Sequence, residues 1–430
     1  MDTEKTEKTE KTEKTEKTEK TEKTKQTEQT EQTEQTEQTE KTEQTEQTES
    51  SELDIYNSFE DMGLKEEIIR GIYSYGFEIP TEIQKRAIIP IISKRDLIAQ
   101  AQSGTGKTAT FSIGMLESID QESHTNQILI LSHTRELSMQ IHEVIKNISK
   151  YMKIKLNLSV GGISMSDNIE SLRQNPQVII GTPGRVLDMI QKKCINKNTL
   201  KMLVLDEADE LLSHIFINQI YDIFQNLRPE IQVCLFSATM SDTFFNITKK
   251  FMRDPIKILV KNEQLTLEGI KQYYINVEKN EFKYDTLCDI YSNISVSQSI
   301  IYCNSIKIVE ILSNKLNNDQ FSVSYIHGNM NQIERNNIIK QFRDGNSRVL
   351  ISTDLLSRGI DIQQISIVIN YDIPKNIDSY IHRIGRSGRY GRKGVAINFS
   401  TITDLSKIKS IEQYYNTFIP ELPNLEVFNI

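Results

Sequence analysis

Between residues 96 and 400 the chain alternates short, unbroken apolar runs with longer stretches in which apolar positions recur every three or four residues. Runs such as LIAQ, ILILS and LVLD do not alternate apolar with polar as a half-exposed strand would, so they read as strands covered on both faces. That pattern predicts parallel sheets with crossover helices. In the first half the strands are expected at 96–100, 127–132, 156–160, 178–180, 201–206 and 232–237, and in the second at 299–303, 322–326, 348–352, 366–370 and 395–399. Each half is thus expected to be a doubly wound α/β domain that holds ligands at the carboxyl ends of its strands. The charged stretch KNEQLTLE, 261–268, reads as a short linker, which gives domains at 53–260 and 268–430.

The first fifty residues break the pattern. A threonine stands at every third position from Thr3 to Thr48, in triplets of TEK or TEQ type with one slip at Lys25, and with no strongly apolar residue after Met1. A period of three drifts around a 3.6-residue helical turn, and such a segment cannot bury a core, so 1–52 is expected to be a disordered low-complexity tail. The first fifty residues carry −7 of the formal net charge of −8, leaving a nearly neutral body. Any nucleic-acid site must therefore come from locally gathered arginines and backbone amides. The cysteines, Cys194, Cys234, Cys288 and Cys303, include no CxxC pair, and His124, His133 and His142 stand nine apart, a spacing that suits no common zinc pattern. A disulfide framework and a zinc site are not expected, and a soluble intracellular protein is. No apolar run approaches a membrane span or a signal peptide.

Two motifs at strand ends carry chemistry. Strand 96–100 runs into AQSGTGKT, where Ser103, Gly104, Thr105 and Gly106 allow backbone amides to close around phosphates, Lys107 reaches outer phosphates and Thr108 can hold magnesium. Ala101 stands where the phosphate-loop pattern has its first glycine, and a turn without function is the alternative. LVLDEAD then places Asp206 and Glu207 at the end of a buried strand, suited to holding Mg2+ and to positioning or deprotonating an attacking water. Alone, that acidic strand end also reads as a helix cap; with Lys107 and Thr108 it points to phosphate hydrolysis. There is no NKxD or LSGGQ motif, which argues against a GTPase or a transporter ATPase.

DEAD at 206–209, SAT at 237–239 and HRIGRSGR at 382–389 resemble the DEAD-box family of ATP-dependent RNA helicases, and the likeness runs from about Phe59 to the C-terminus. Within it the chain looks most similar to the translation initiation factor 4A group and its exon-junction relative. The resemblance implies two RecA-like domains, ATP and Mg2+ as ligands, and a set of site residues. Gln84 would read the adenine edge, Phe59 would stack on the base, and Asp361 would contact the ribose. Arg386 and Arg389 would act as arginine fingers, three apart and on one face if helical. His382 would couple that motif to the first domain, and Ser237 and Thr239 would link the ATP site to the cleft by hydrogen bonds with Asp209. RNA contacts would come from Arg135, Gly161, Gly162, Thr182, Arg185, Arg335 and Thr353, largely to phosphates and 2′-hydroxyls. Because Lys107, Thr108, Asp206 and Glu207 lie in one domain and the arginines in the other, hydrolysis is expected to require closure.

The function these residues imply is ATP-driven local unwinding of messenger RNA in translation initiation, by a cytoplasmic monomer with a helical-repeat scaffold such as initiation factor 4G as partner. The alternatives are an ATP-gated RNA clamp of the exon-junction type in nuclear mRNA processing and, more distantly, a DNA translocase. Departures from the family pattern include His133 for proline, which predicts a looser loop before Arg135, Ser138 for alanine, Ile215 after DEADELLSH, Asn329 for aspartate, and Ser305 and Ile306 after YCN.

Overall fold

A computed structural model describes residues 55–102, 104–259, 270–293, 298–356, 365–387 and 394–423. The expected tail, the linker at 261–268, and the site residues Ser103, Asp361 and Arg389 lie outside the described residues.

Among the described residues, eleven of the thirteen strands fall within a residue or two of their expected positions, and all pair in parallel. In the first half these are β1 (Leu97–Gln100), β2 (Ile128–Ser132), β3 (Leu156–Ser159), β4 (Val178–Gly181), β5 (Met202–Asp206), β6 (Gln232–Ser237) and β7 (Ile256–Ile258). They form one sheet in the order β3-β4-β2-β5-β6-β1-β7. The second half holds β8 (Ile270–Glu278), β9 (Ser299–Tyr302), β10 (Val323–Ile326), β11 (Val349–Ser352), β12 (Ile367–Asn370) and β13 (Gly394–Thr401), ordered β10-β11-β9-β12-β13-β8. The apolar runs are buried along their whole length, because helices cover both faces of each sheet.

The two strands that the apolar pattern does not predict, β7 and β8, are edge strands. Only one side chain of each is buried, so they lack the continuous apolar signature of the inner strands.

Strand order decides which distant motifs meet. In the first sheet β5, β6 and β1 are neighbours, with Asp206 opposite Phe236 and Gln100 opposite Ser237. The phosphate loop, the acidic run and the SAT motif therefore emerge side by side at one carboxyl edge. In the second sheet β11, β9 and β12 are neighbours, which gathers Asp354, Asn304 and Asp372 at the corresponding edge.

The four cysteines are all unpaired. Among the described residues no helix is long and apolar enough to cross a membrane.

Candidate active site and RNA cleft

The phosphate loop passes from β1 into the helix Lys107–Ser118 through two glycines with left-handed backbone, Gly104 (φ 86°) and Gly106 (φ 96°). Gly106 is also packed against Gln84, for an added Cβ would stand 2.8 Å from the Gln84 side-chain nitrogen. Any L side chain there would be strained twice over. Lys107 is buried; its ammonium donates to the Ala101 carbonyl at 2.7 Å and stands 4.0 Å from the Glu207 carboxylate. Ala101, which takes the place of the pattern's first glycine, thus supplies the carbonyl that holds the lysine inside the loop.

Asp206 ends β5 and Glu207 follows it with φ 51°, a left-handed conformation that side chains other than glycine rarely adopt. Both carboxyl groups are buried, and Asp206 Oδ1 accepts the Glu207 backbone N–H at 3.0 Å. Burial, and next the neighbouring Glu207 charge, push the Asp206 carboxyl up to about 7, against the pull of Lys107. Two crowded carboxylates in that condition suit a divalent cation, whose charge would relieve both. Among the described residues no group of three or more His, Cys, Asp or Glu is placed to hold a metal. The oxygen donors Asp206 and the Thr108 hydroxyl are of the chemical type that suits magnesium, which commonly takes one or two protein ligands together with phosphate oxygens.

Gln84 sits at the third position of the helix Glu82–Ile92, where it forms a capping box with Thr81. Its carbonyl oxygen accepts the Thr81 N–H at 2.8 Å, and its side-chain nitrogen is buried without a partner. A buried, unused donor beside the phosphate loop suits an acceptor on a bound nucleotide. Phe59 does not behave as the resemblance implies. It is completely covered at the start of the turn Glu60–Met62 and presents no face on which a base could stack.

Asp209 touches residues of both halves. Its Oδ2 accepts the Thr239 hydroxyl at 2.7 Å and lies 3.4 Å from Nε2 of His382, a fully buried residue of the second half on the helix Ile377–Ile384. Ser237 departs from expectation, because its hydroxyl donates to the Thr239 carbonyl at 2.8 Å rather than to Asp209. It fixes the SAT turn, and Thr239 alone of the two reaches the carboxylate.

Arg386 lies past the end of the helix Ile377–Ile384, which Gly385 terminates, and Ser387 bridges to Ile365 as extended chain. The expected helical face shared with Arg389 therefore does not extend to Arg386. Its Nε donates to the His382 carbonyl at 3.3 Å, which ties it directly to the residue that touches Asp209.

A cavity of about 520 Å³ is lined by residues of both halves, and it gathers Arg135, Gly161, Thr182, Arg185 and Arg335. The Arg135 guanidinium lies across Gly161 and Gly162; an added Cβ on Gly161 would come within 2.7 Å of it. Arg185 donates to the Ile163 carbonyl at 2.9 Å, and Thr353 follows β11 half-buried. Arg335 is nearly buried and donates to Glu136 at 2.8 Å, with Gln332 donating to the same oxygen at 2.9 Å. In this arrangement Arg335 is spent on a bond between the halves. In the sequence Glu136 carries no mark beyond being an acid directly after Arg135.

The loop carrying His133 is pinned, not loosened. Ser138 shares a hydrogen bond with Ser132 at 2.6 Å and donates to the Thr134 carbonyl at 3.1 Å, and Thr134 caps the helix Arg135–Ile148. Ser305 likewise caps the helix Ile306–Asn318, so that departure keeps a helix start. Ile215 is 60% exposed, and the structure offers no account of its choice.

Comparison with known proteins agrees with this geometry. The DEAD/DEAH box helicase model matches residues 81–247, and the helicase conserved C-terminal domain model matches 282–391. The chain is 56% identical over 367 residues to "ATP-dependent RNA helicase eIF4A" of Chaetomium globosum, covering 85% of this chain and 92% of that one. It is also 56% identical over 375 residues to "ATP-dependent RNA helicase FAL1" of Candida glabrata, covering 86% and 94%. Among solved structures, Saccharomyces cerevisiae Dbp5 bound to RNA and ADP BeF3 superposes with a TM-score of 0.81 at 37% identity, covering 85% of this chain and 95% of that one. Both family models fall in order on the two sheets and more than half of the aligned residues are identical to those of nearly complete relatives, so this protein belongs to the DEAD-box family of ATP-dependent RNA helicases.

Proposed function

We propose that the protein uses ATP with Mg2+ to close its two halves over messenger RNA and separate short duplexes during translation initiation. The observation that carries this reading is the Asp209 junction, where an acidic residue beside the nucleotide site meets Thr239 of its own half and His382 of the other. The role in initiation is supported by the likeness to proteins named initiation factor 4A, including that of Caenorhabditis elegans at 53% identity over 369 residues. The protein is proposed to act as a cytoplasmic monomer, with a helical-repeat scaffold such as initiation factor 4G as partner.

In this mechanism the loop amides and Lys107 bind the phosphates and hold the outer one at the carboxyl edge of β1, β5 and β6. Gln84 directs its unused donor toward the nucleotide. Bound magnesium, held by Asp206 and Thr108, would neutralise phosphate charge as the terminal bond breaks. Glu207 orients the attacking water and accepts its proton, and the phosphate leaves with the water's oxygen. His382 holds Arg386 at the closed junction, so the arginine reaches the site only when the halves touch. Closure grips one strand bent in the cleft and expels the other, and phosphate release reopens it.

The test is strand separation of a short fluorescent RNA duplex with wild type and Glu207→Gln. Separation that needs ATP and stops in the variant supports the reading. Separation by the variant at the wild-type rate would remove Glu207 from its assigned role.

A further inference from the structure

The first half carries a second cavity, a groove of about 850 Å³ that shares no lining residue with the cavity holding Arg135 and Arg185. Three segments wall it: the helix Ile217–Asn226, the turn 227–231 that leads into β6, and the stretch 247–253 between the helix Asp242–Thr248 and β7. Its floor is apolar. Phe224 and Phe251 stack there with ring centres 4.4 Å apart, beside the buried core residues Ile220 and Met252. Neither ring is fully covered, and Tyr221 on the same helix is 59% exposed. Three aromatic rings lining one groove and left in contact with water mark an interaction site.

The charges that line the groove all have one sign. They are Arg228, Lys250 and Arg253, and no aspartate or glutamate joins them. Glu230 meets Arg228 only as an exposed pair at 3.5 Å, and the Arg253 guanidinium donates to the Ile231 carbonyl at 3.4 Å, which holds it against the groove wall. Lys250 has no carboxylate partner among the described residues. The walls are helices and turns with no strand edge, so a partner has no backbone ladder to extend; a helix laid in by its apolar face is the mode that fits. The acidic first fifty residues match the charge of the groove but hold no strongly apolar residue after Met1 to fill its floor, so they are not the occupant. Helix Ile217–Asn226 serves the two cavities with different residues. Its N-cap Phe216 and Gln219 line the RNA cavity, while Ile217, Tyr221 and Phe224 line the groove, so two occupants need not compete for a side chain.

We propose that this groove docks an acidic amphipathic helix of a partner protein, which sets apolar side chains on Phe224, Phe251 and Tyr221 and carboxylates against Arg228, Lys250 and Arg253. The site is separate from the RNA cavity and is open to the partner while RNA is bound.

The test is fluorescence anisotropy of a labelled synthetic helix titrated with the full chain. The peptide has about 18 residues, enough to hold helical form, with leucines at i, i+3, i+4 and i+7 and glutamates on the opposite face; a second peptide replaces each glutamate by lysine. The acidic helix is expected to bind about tenfold or more tightly than the basic one, less so as salt is added. Lys250→Glu should weaken it about tenfold, as reversal of one ion pair does, and Tyr221→Ser about tenfold or more, as loss of an aromatic anchor does. Both positions are exposed, and Lys250→Glu decides alone should Tyr221→Ser melt early. Saturating poly(U) RNA should leave binding unchanged. No binding of the acidic helix, equal binding of the two peptides, or wild-type binding by Lys250→Glu overturns the proposal. Displacement of the acidic helix by RNA also overturns it, because it places the peptide in the RNA cavity. Sedimentation showing a dimer that Lys250→Glu abolishes would give the groove to a second copy of this chain and overturn it likewise. Binding is read without ATP turnover, so failure of the helicase reading would leave this result standing.

Discussion

Removing the Glu136 side chain isolates one of the contacts by which the two halves hold each other. Glu136 Oε1 accepts from Arg335 at 2.8 Å and from Gln332 at 2.9 Å, across nearly two hundred residues of sequence, and the Arg335 and Glu136 side chains are only 9% and 5% exposed. Screening by water is weak at such exposure, and breaking one partner of a buried pair costs about 3–5 kcal/mol. At about 1.4 kcal/mol per factor of ten, Glu136→Ala should shift the balance between touching and separated halves by about 10² to 10³. Alanine is the best helix former, so the helix Arg135–Ile148 loses nothing by propensity. The assay is energy transfer between dyes at Tyr221→Cys and Ile311→Cys, exposed positions on the two halves, with Cys194 and Cys288 replaced by serine. Transfer should fall in Glu136→Ala and recover largely in Glu136→Gln, which keeps an acceptor oxygen. Unchanged transfer in the alanine variant would refute the assignment of this bond as a tie between the halves.

Other outcomes follow from the same geometry. Lys107→Ala should abolish detectable binding of a fluorescent ATP analogue, because the buried ammonium is the cation directed into the loop; binding within a few-fold of wild type would contradict this. Arg386→Ala should lower RNA-stimulated kcat by about 10³ or more with a smaller change in ATP affinity, as loss of an arginine finger does; equal losses in both would make it a binding residue. The Asp206 carboxyl, held above its ordinary value at about 7, favours the ligand-free fold while protonated. That contribution is complete below the ordinary carboxyl range and is lost as pH rises toward and through 7. Asp206→Asn should therefore raise the melting temperature of the ligand-free protein at pH 8 and change it little near pH 4, as differential melting would record.

Much of this architecture is legible in the chain because the inner strands are covered on both faces and must be apolar throughout, as in ILILS of β2 and MLVLD of β5. The phosphate loop and the acidic run were legible because parallel sheets present their chemistry at carboxyl ends. The edge strands β7 and β8 were not, since half-exposed strands mix polar residues into the pattern. The partners chosen by buried charges were also hidden. Arg335 looks like an RNA contact until tertiary packing brings Glu136 beside it, and Arg383 looks like one more basic residue until three strand ends converge on it. Phe59 and Ser237 show the same limit, for a motif names a residue while packing decides whether its ring or hydroxyl faces the ligand.

The most direct test of the account is steady-state ATP hydrolysis by the purified protein with single-stranded RNA, with DNA of matched sequence, and with neither. Closure over RNA as the trigger predicts strong stimulation by RNA and little by DNA. Equal turnover in all three conditions, or DNA stimulating as well as RNA, would contradict it.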